Sequence, residues 1–128
     1  MNNFNKKDKV INYHLIRNLL KFKNCFEIDN IRVSFYIHDI NDTNVTQVLI
    51  TVPKKKVKSA VKRNNIKRLI RESYRLQKNI INDVVLHNKK LAILLIYNSE
   101  ETNVIFKEIF DKINLILYSL QKKYNESI

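Results

Sequence analysis

Ten lysines and arginines stand between residues 54 and 75, in "KKKVKSAVKRNNIKRLIRESYR", against one acid, Glu72. The segment is therefore +9 in a chain whose total is +12. Cations at this density neutralise closely spaced anions, and arginine adds planar, bidentate contacts to phosphate and a face that stacks on bases. A solvated helix face is the plainer reading. Such faces alternate Glu with Lys, and that alternation is missing here. An anionic membrane surface is a third reading, weakened because no Trp or Phe flanks the charge and the opposite helix face is needed for the core.

The spacing predicts a helix from about Ala60 to Lys78, with Ser59 as its N-cap. At 100° per residue, Ile66, Leu69, Ile70, Ser73 and Leu76 share one arc. Arg63, Asn64, Lys67, Arg68, Arg71, Arg75 and Lys78 share the opposite one. Lys67, Arg71 and Arg75 recur at every fourth position, where like charges repel. Lys62 and Arg63 sit in the first turn, where the helix dipole disfavours cations. Two local rules broken in one element mark a position under functional demand. From Arg63 to Arg75 the stripe runs about 18 Å, with a cation roughly every 6 Å, which suits phosphates strung along a strand. Lys54, Lys55 and Lys56 carry the charge into the loop before the helix.

Other chemistries find little support. His14, His38 and His87 are far apart and show no Cys/His ligand spacing, so no zinc site is expected. The acids are scattered, and no pair stands out for two-metal phosphodiester cleavage. Glycine is absent, which excludes a glycine-rich phosphate loop. Cys25 is the one cysteine and is expected as a packed thiol rather than a nucleophile. A lone thiol gives no disulfide framework, so a reducing cytoplasm is the natural compartment. The N-terminal "MNNFNKKDKV" lacks the apolar stretch of a signal peptide. The longest apolar run, "LAILLIY", is too short to span a bilayer.

The elements that must position the stripe can be read around it. The 128 residues form one expected domain, 1–128, with 1–9 and 121–128 as flexible ends. Ile11, Leu15, Leu19 and Phe22 give residues 10–23 a one-faced helical pattern. "CFEI", a turn at Asp29-Asn30 and "IRVSFYIHDI" read as a hairpin. In its longer strand Ile31, Val33, Phe35 and Ile37 face one way, and Arg32, Ser34, Tyr36 and His38 the other. A turn is expected at 41–44 and a third strand at 45–52, ended by Pro53. "LAILLIY" at 91–97 suits a strand covered on both faces. "SEET" at 99–102 reads as a helix start, with Ile105, Phe106, Ile109, Ile113, Ile116, Leu117 and Leu120 on one side of the last helix. The fold class is α+β: a single-domain α/β sandwich in the order α-β-β-β-α-β-α. Tyr36 beside Arg32 and Ser34 reads either as a stacking platform for an unpaired base or as a partly exposed strand tyrosine. Phe22 reads as core or as the wall of a cleft.

The run "AVKRNNIKRLIRESYR" resembles the signature helix of the protein subunit of bacterial ribonuclease P. The family pattern is Arg-Asn-x-x-Lys-Arg-x-x-Arg, and Arg63, Asn64, Lys67, Arg68 and Arg71 match it in place. The lead-in "TVPKKKVKSAV" and the element order over 10–120 are similar too. The chain departs in having Asn65 where the family usually has Arg, Lys58 near the usual turn glycine, and Phe22 alone where two aromatics are common. The resemblance implies a left-handed β-α-β crossover, against the usual hand. It implies a non-catalytic subunit that assists a catalytic RNA in removing the 5′ leader of precursor tRNA. The basic helix and Lys54–Lys56 loop would bind the catalytic RNA, and a cleft with Phe22, Arg32 and Tyr36 would hold the leader. Mg2+ would be held mainly by the RNA. The rival readings are a ribosomal or other structural-RNA-binding protein, which needs the charge but not this residue order, and a helix-turn-helix DNA binder, which the sheet disfavours.

Overall fold

The computed structural model describes residues 13–21, 24–38, 46–86 and 88–128. Its elements in chain order are α1 (Tyr13–Leu20), β1 (Cys25–Ile28), β2 (Ile31–His38), β3 (Thr46–Thr51), α2 (Ala60–Gln77), α3 (Asn79–Asn82), β4 (Lys90–Tyr97) and α4 (Phe106–Ser127). The expected order holds, with α3 as an unforeseen single turn.

The four strands form one sheet in the order β1-β2-β4-β3. β1, β2 and β4 pair antiparallel in sequence along the sheet, and β3 runs parallel to β4 at the edge. The hairpin turns on Asp29 and Asn30, at φ 44° and 69°. Both are left-handed positions, which Asp and Asn tolerate because their short polar side chains bond locally. In a chain without glycine they are the natural substitutes. Parallel neighbours need a crossover, and α2 supplies it between β3 and β4.

The two faces of the sheet are covered unequally. Val33, Phe35, Val48, Ile93 and Leu95 face the main core, where α2 contributes Ile66, Leu69, Ile70 and Tyr74 and α4 contributes Ile109, Ile113, Leu117 and Tyr124. The other face carries a smaller cluster of Leu19, Ala92 and Leu94, with Tyr36, Leu49 and Ile96 against it. β4 is thus buried on both sides, as its unbroken apolar run predicts. α1 lies over the second face, where the Ser34 hydroxyl donates to the Leu19 carbonyl at 2.6 Å.

Four expectations need correction. Cys25 is exposed, not packed, because it opens the edge strand β1. The last helix starts at Phe106 rather than at "SEET". There the Ser99 hydroxyl accepts from the Glu101 amide and the Glu101 carboxylate from the Asn103 amide, local turns that compete with a helix. Ile105 and Phe106 are consequently exposed at 58% and 38%, outside the apolar side of α4. Residues 121–127 are helical and Tyr124 is buried, its hydroxyl donating to Lys89 O at 2.6 Å and accepting from Leu86 N at 2.8 Å. The expected turn at 41–44, the end 1–9 and Phe22 lie outside the described residues.

Candidate nucleic-acid interface

The lead-in to α2 is built from backbone geometry. Pro53 ends the strand run, and its carbonyl accepts from both Lys56 N and Val57 N at 3.0 Å. Val57 turns inward and is buried, while Lys54, Lys55, Lys56 and Lys58 stay exposed. Ser59 is extended, at φ −73° and ψ 121°, and its side chain accepts from Lys62 N at 3.3 Å. That is the N-cap the sequence predicts. No acid stands in the first turn, so no carboxylate offsets the cations there.

Along α2 the buried residues are Ile66, Leu69, Ile70, Ser73, Tyr74 and Gln77. Leu76, placed by the sequence reading on the core arc, is 44% exposed. The buried arc is turned by about 30° from the predicted one, because Tyr74 rather than Leu76 takes the edge that packing against α4 offers. Asn64, Asn65, Arg68 and Arg71 are exposed, while Arg63, Lys67 and Arg75 are half-buried. The cationic face and the core face are therefore separate, and the predicted stripe stands on the solvent side.

Individual cations differ in what holds them. The Arg63 guanidinium donates from one nitrogen to Val57 O at 3.0 Å and Lys58 O at 2.8 Å. Arg68 donates to Asn65 Oδ1 at 2.9 Å. Arg75 grips Glu72 through two nitrogens, one of them Nε at 3.1 Å. This hydrogen bond to Arg75 holds the Glu72 carboxyl below its ordinary value of 4.5. The segment's one acid is thus spent on one of its ten cations.

The second group of predicted residues lies on the α1 side of the sheet. Strand register puts Glu27, Arg32, Ile96 and Thr51 in one cross-strand row, Ser34, Leu94 and Leu49 in the next, and Tyr36, Ala92 and Gln47 in the third. Arg32 and Tyr36 share this face about 13 Å apart. Arg32 is exposed, with Nε 3.7 Å from Glu27 Oε1, which also accepts from Asn98 Nδ2 at 3.2 Å. Tyr36 is half-buried and stacks on His38, with ring centroids 6.1 Å apart and planes 11° apart. Beyond Thr51 the chain passes through Pro53 into the lysine loop, so that loop leaves the sheet at Arg32's end. α2 then returns across the opposite face.

Residues 4–121 match the family model described as ribonuclease P. The chain belongs to the ribonuclease P protein family. It is 40% identical over 61 residues to the ribonuclease P protein component of Porphyromonas gingivalis, a match covering 48% of this chain and 44% of that protein. It is 39% identical over 75 residues to the component of Photobacterium profundum, covering 57% and 58%. The chain thus spans about half the length of the curated relatives it matches. Among solved structures, the RNase P protein of Staphylococcus aureus superposes with a TM-score of 0.67 at 20% identity, over 89% of this chain and 95% of that one. The RNase P protein of Thermotoga maritima gives 0.64 at 21% identity, over 81% and 89%. At such identities these two show that the ribonuclease P protein fold is shared.

Three positions that shape the interface escaped the sequence reading. Ser34 was assigned to a polar face, yet it is buried and pins α1 to the sheet. Gln77 is not among the residues named for the core arc, although it falls between Ile66 and Ile70 on the wheel; it donates to Ser73 O at 3.2 Å and Phe110 O at 3.0 Å and accepts from Asn114 Nδ2 at 2.9 Å. Glu72 was counted as a charge, with no signal that it would select Arg75 except the i,i+3 spacing.

Proposed function

We propose that this chain is the RNA-binding protein subunit of ribonuclease P, assisting a catalytic RNA in endonucleolytic removal of the 5′ leader from precursor tRNA. One observation carries the reading: the signature cations Lys67, Arg68 and Arg71, with Asn64, stand on the solvent side of α2 and continue into the exposed lysines 54–56. A surface of this length and sign fits a phosphate backbone. In this reading the helix and loop meet the catalytic RNA. The leader lies along the sheet face under α1, where Arg32 offers charge and Tyr36 an aromatic edge. Phe22 belongs to the same proposed cleft, and the cytoplasm is the compartment.

Ribonuclease P chemistry calls for magnesium, which activates water and stabilises charge on the phosphate. Among the described residues no three His, Cys, Asp or Glu are grouped to hold a metal ion. The described side chains therefore do not fit a protein-held ion, and magnesium in this reading belongs to the RNA. The protein's work is to bind, to orient the leader and to offset phosphate repulsion.

The test is reconstitution. Precursor tRNA and magnesium with the protein alone should stay uncut, and adding the catalytic RNA should yield the mature 5′ end, faster than the RNA alone at low magnesium. Cleavage by the protein alone under nuclease-free controls would overturn the reading. So would a protein that leaves the RNA's rate unchanged, which would favour a structural-RNA binder instead.

A further inference from the structure

The lead-in loop presents four exposed lysines within five positions, 54–58, with only Val57 anchored in the core. Mutual repulsion among those ammonium groups favours splaying the loop outward. Glycine is absent from the chain, and Asp29 and Asn30 are the positive-φ residues among those described, so no left-handed residue fixes this turn. Backbone bonds to Pro53 O close its first half. Its second half is closed by a side chain from the helix itself: Arg63 reaches back and donates to the carbonyls of Val57 and Lys58, at 3.0 and 2.8 Å.

We propose that Arg63 is a positioning residue for RNA binding: its guanidinium clamps the lead-in loop and so sets the direction in which Lys54, Lys55 and Lys56 meet phosphate. This deepens the ribonuclease P reading and rests on it. A guanidinium suits the task, because one terminal nitrogen, held in the plane of the group, directs its two N–H bonds at two successive carbonyls while the group keeps its charge. A lysine side chain ends one bond shorter in a freely rotating ammonium, so it neither reaches as far nor fixes its N–H directions on the two oxygens. The clamp also places a cation in the first turn of α2, where the dipole disfavours it; the two carbonyls offset that cost. Arg63 then differs in role from Arg68 and Arg71, which stand on the open solvent face.

Two measurements on the full-length chain test this. The first needs no RNA: backbone amide exchange at Lys56 and Val57, whose N–H groups close the turn on Pro53 O. Arg63→Lys should speed exchange there about tenfold, the loss of one charge-assisted hydrogen bond, and leave the α2 amides beyond the first turn unchanged. The second is binding to the catalytic RNA for Arg63→Lys, for Lys54, Lys55 and Lys56 all replaced by Ala, and for the combination. The account expects Arg63→Lys to bind about tenfold more weakly despite its retained charge, and the combined variant to lose little beyond the triple-Ala variant. Unchanged exchange in Arg63→Lys, wild-type affinity for Arg63→Lys, or losses that simply multiply in the combination would each overturn the clamp. Absence of RNA binding by the wild type would instead overturn the functional reading, and the exchange experiment would still decide the clamp.

Discussion

At the scale of single residues, the cationic segment is a set of unequal charges. Arg68 and Arg71 stand exposed on α2, whereas Arg75 is held by the segment's only acid. An RNA phosphate must compete with Glu72 for Arg75, so the net gain from that contact is small. Glu72→Gln removes the competitor and one negative charge. It should tighten binding to the catalytic RNA and steepen the log-affinity against log-salt line by nearly one, about 0.7–0.9 per added phosphate contact. A salt titration of both proteins reads this directly; identical slopes would place Arg75 away from RNA. The pH dependence has a definite sign. The folded Glu72 carboxyl is lowered, first by its hydrogen bond to Arg75, so the pair's contribution is fully present above the ordinary value of 4.5 and is lost as pH falls through the lowered folded value. Comparing the acid unfolding of wild type and Glu72→Gln should show a difference that shrinks below that range.

At the scale of elements, legibility followed how local the determining physics is. The hairpin and the second strand were legible because a two-residue turn and strict alternation are short-range signals, and they match Cys25–Ile28 and Ile31–His38. The limits of α2 were legible through Ser59 and through the end of the 3.6-residue pattern. The buried arc of α2 was only partly so, since exchanging Leu76 for Tyr74 depends on where α4 lies. The start of α4 was misread because Ser99 and Glu101 have cap-like chemistry but use it on local turns. The cationic side of the site was legible in residue types and spacing; Ser34's tie to Leu19 was not, because it joins residues fifteen apart in sequence. The hairpin gives an element-scale prediction. Asn30 sits at φ 69°, so Asn30→Ala should destabilise the fold by about 1–2 kcal/mol, while Asn30→Gly should be close to neutral. Chemical denaturation midpoints distinguish the two, and equal midpoints for Ala and Gly would contradict the strained-turn account.

At the scale of the whole molecule, the fold separates what holds it from what it presents. The α2 helix gives Ile66, Ile70 and Tyr74 to the core and its opposite side to solvent, while α4 closes the core from beyond. Gln77 ties the end of α2 to α4 through Phe110 O and Asn114. Gln77→Ala removes these part-buried hydrogen bonds and should cost about 0.5–1.5 kcal/mol. RNA affinity, measured where the variant is still folded, should stay unchanged; a parallel loss of affinity would mean that the two faces are not independent. The central claim is that the solvent side of this molecule is a phosphate-binding surface, and the salt dependence of binding to the catalytic RNA tests it most directly. With about five cations meeting phosphates, log affinity should fall against log salt with a slope of about −3.5 to −4.5. A slope near zero would contradict the account and return the cationic stripe to an ordinary solvated helix face.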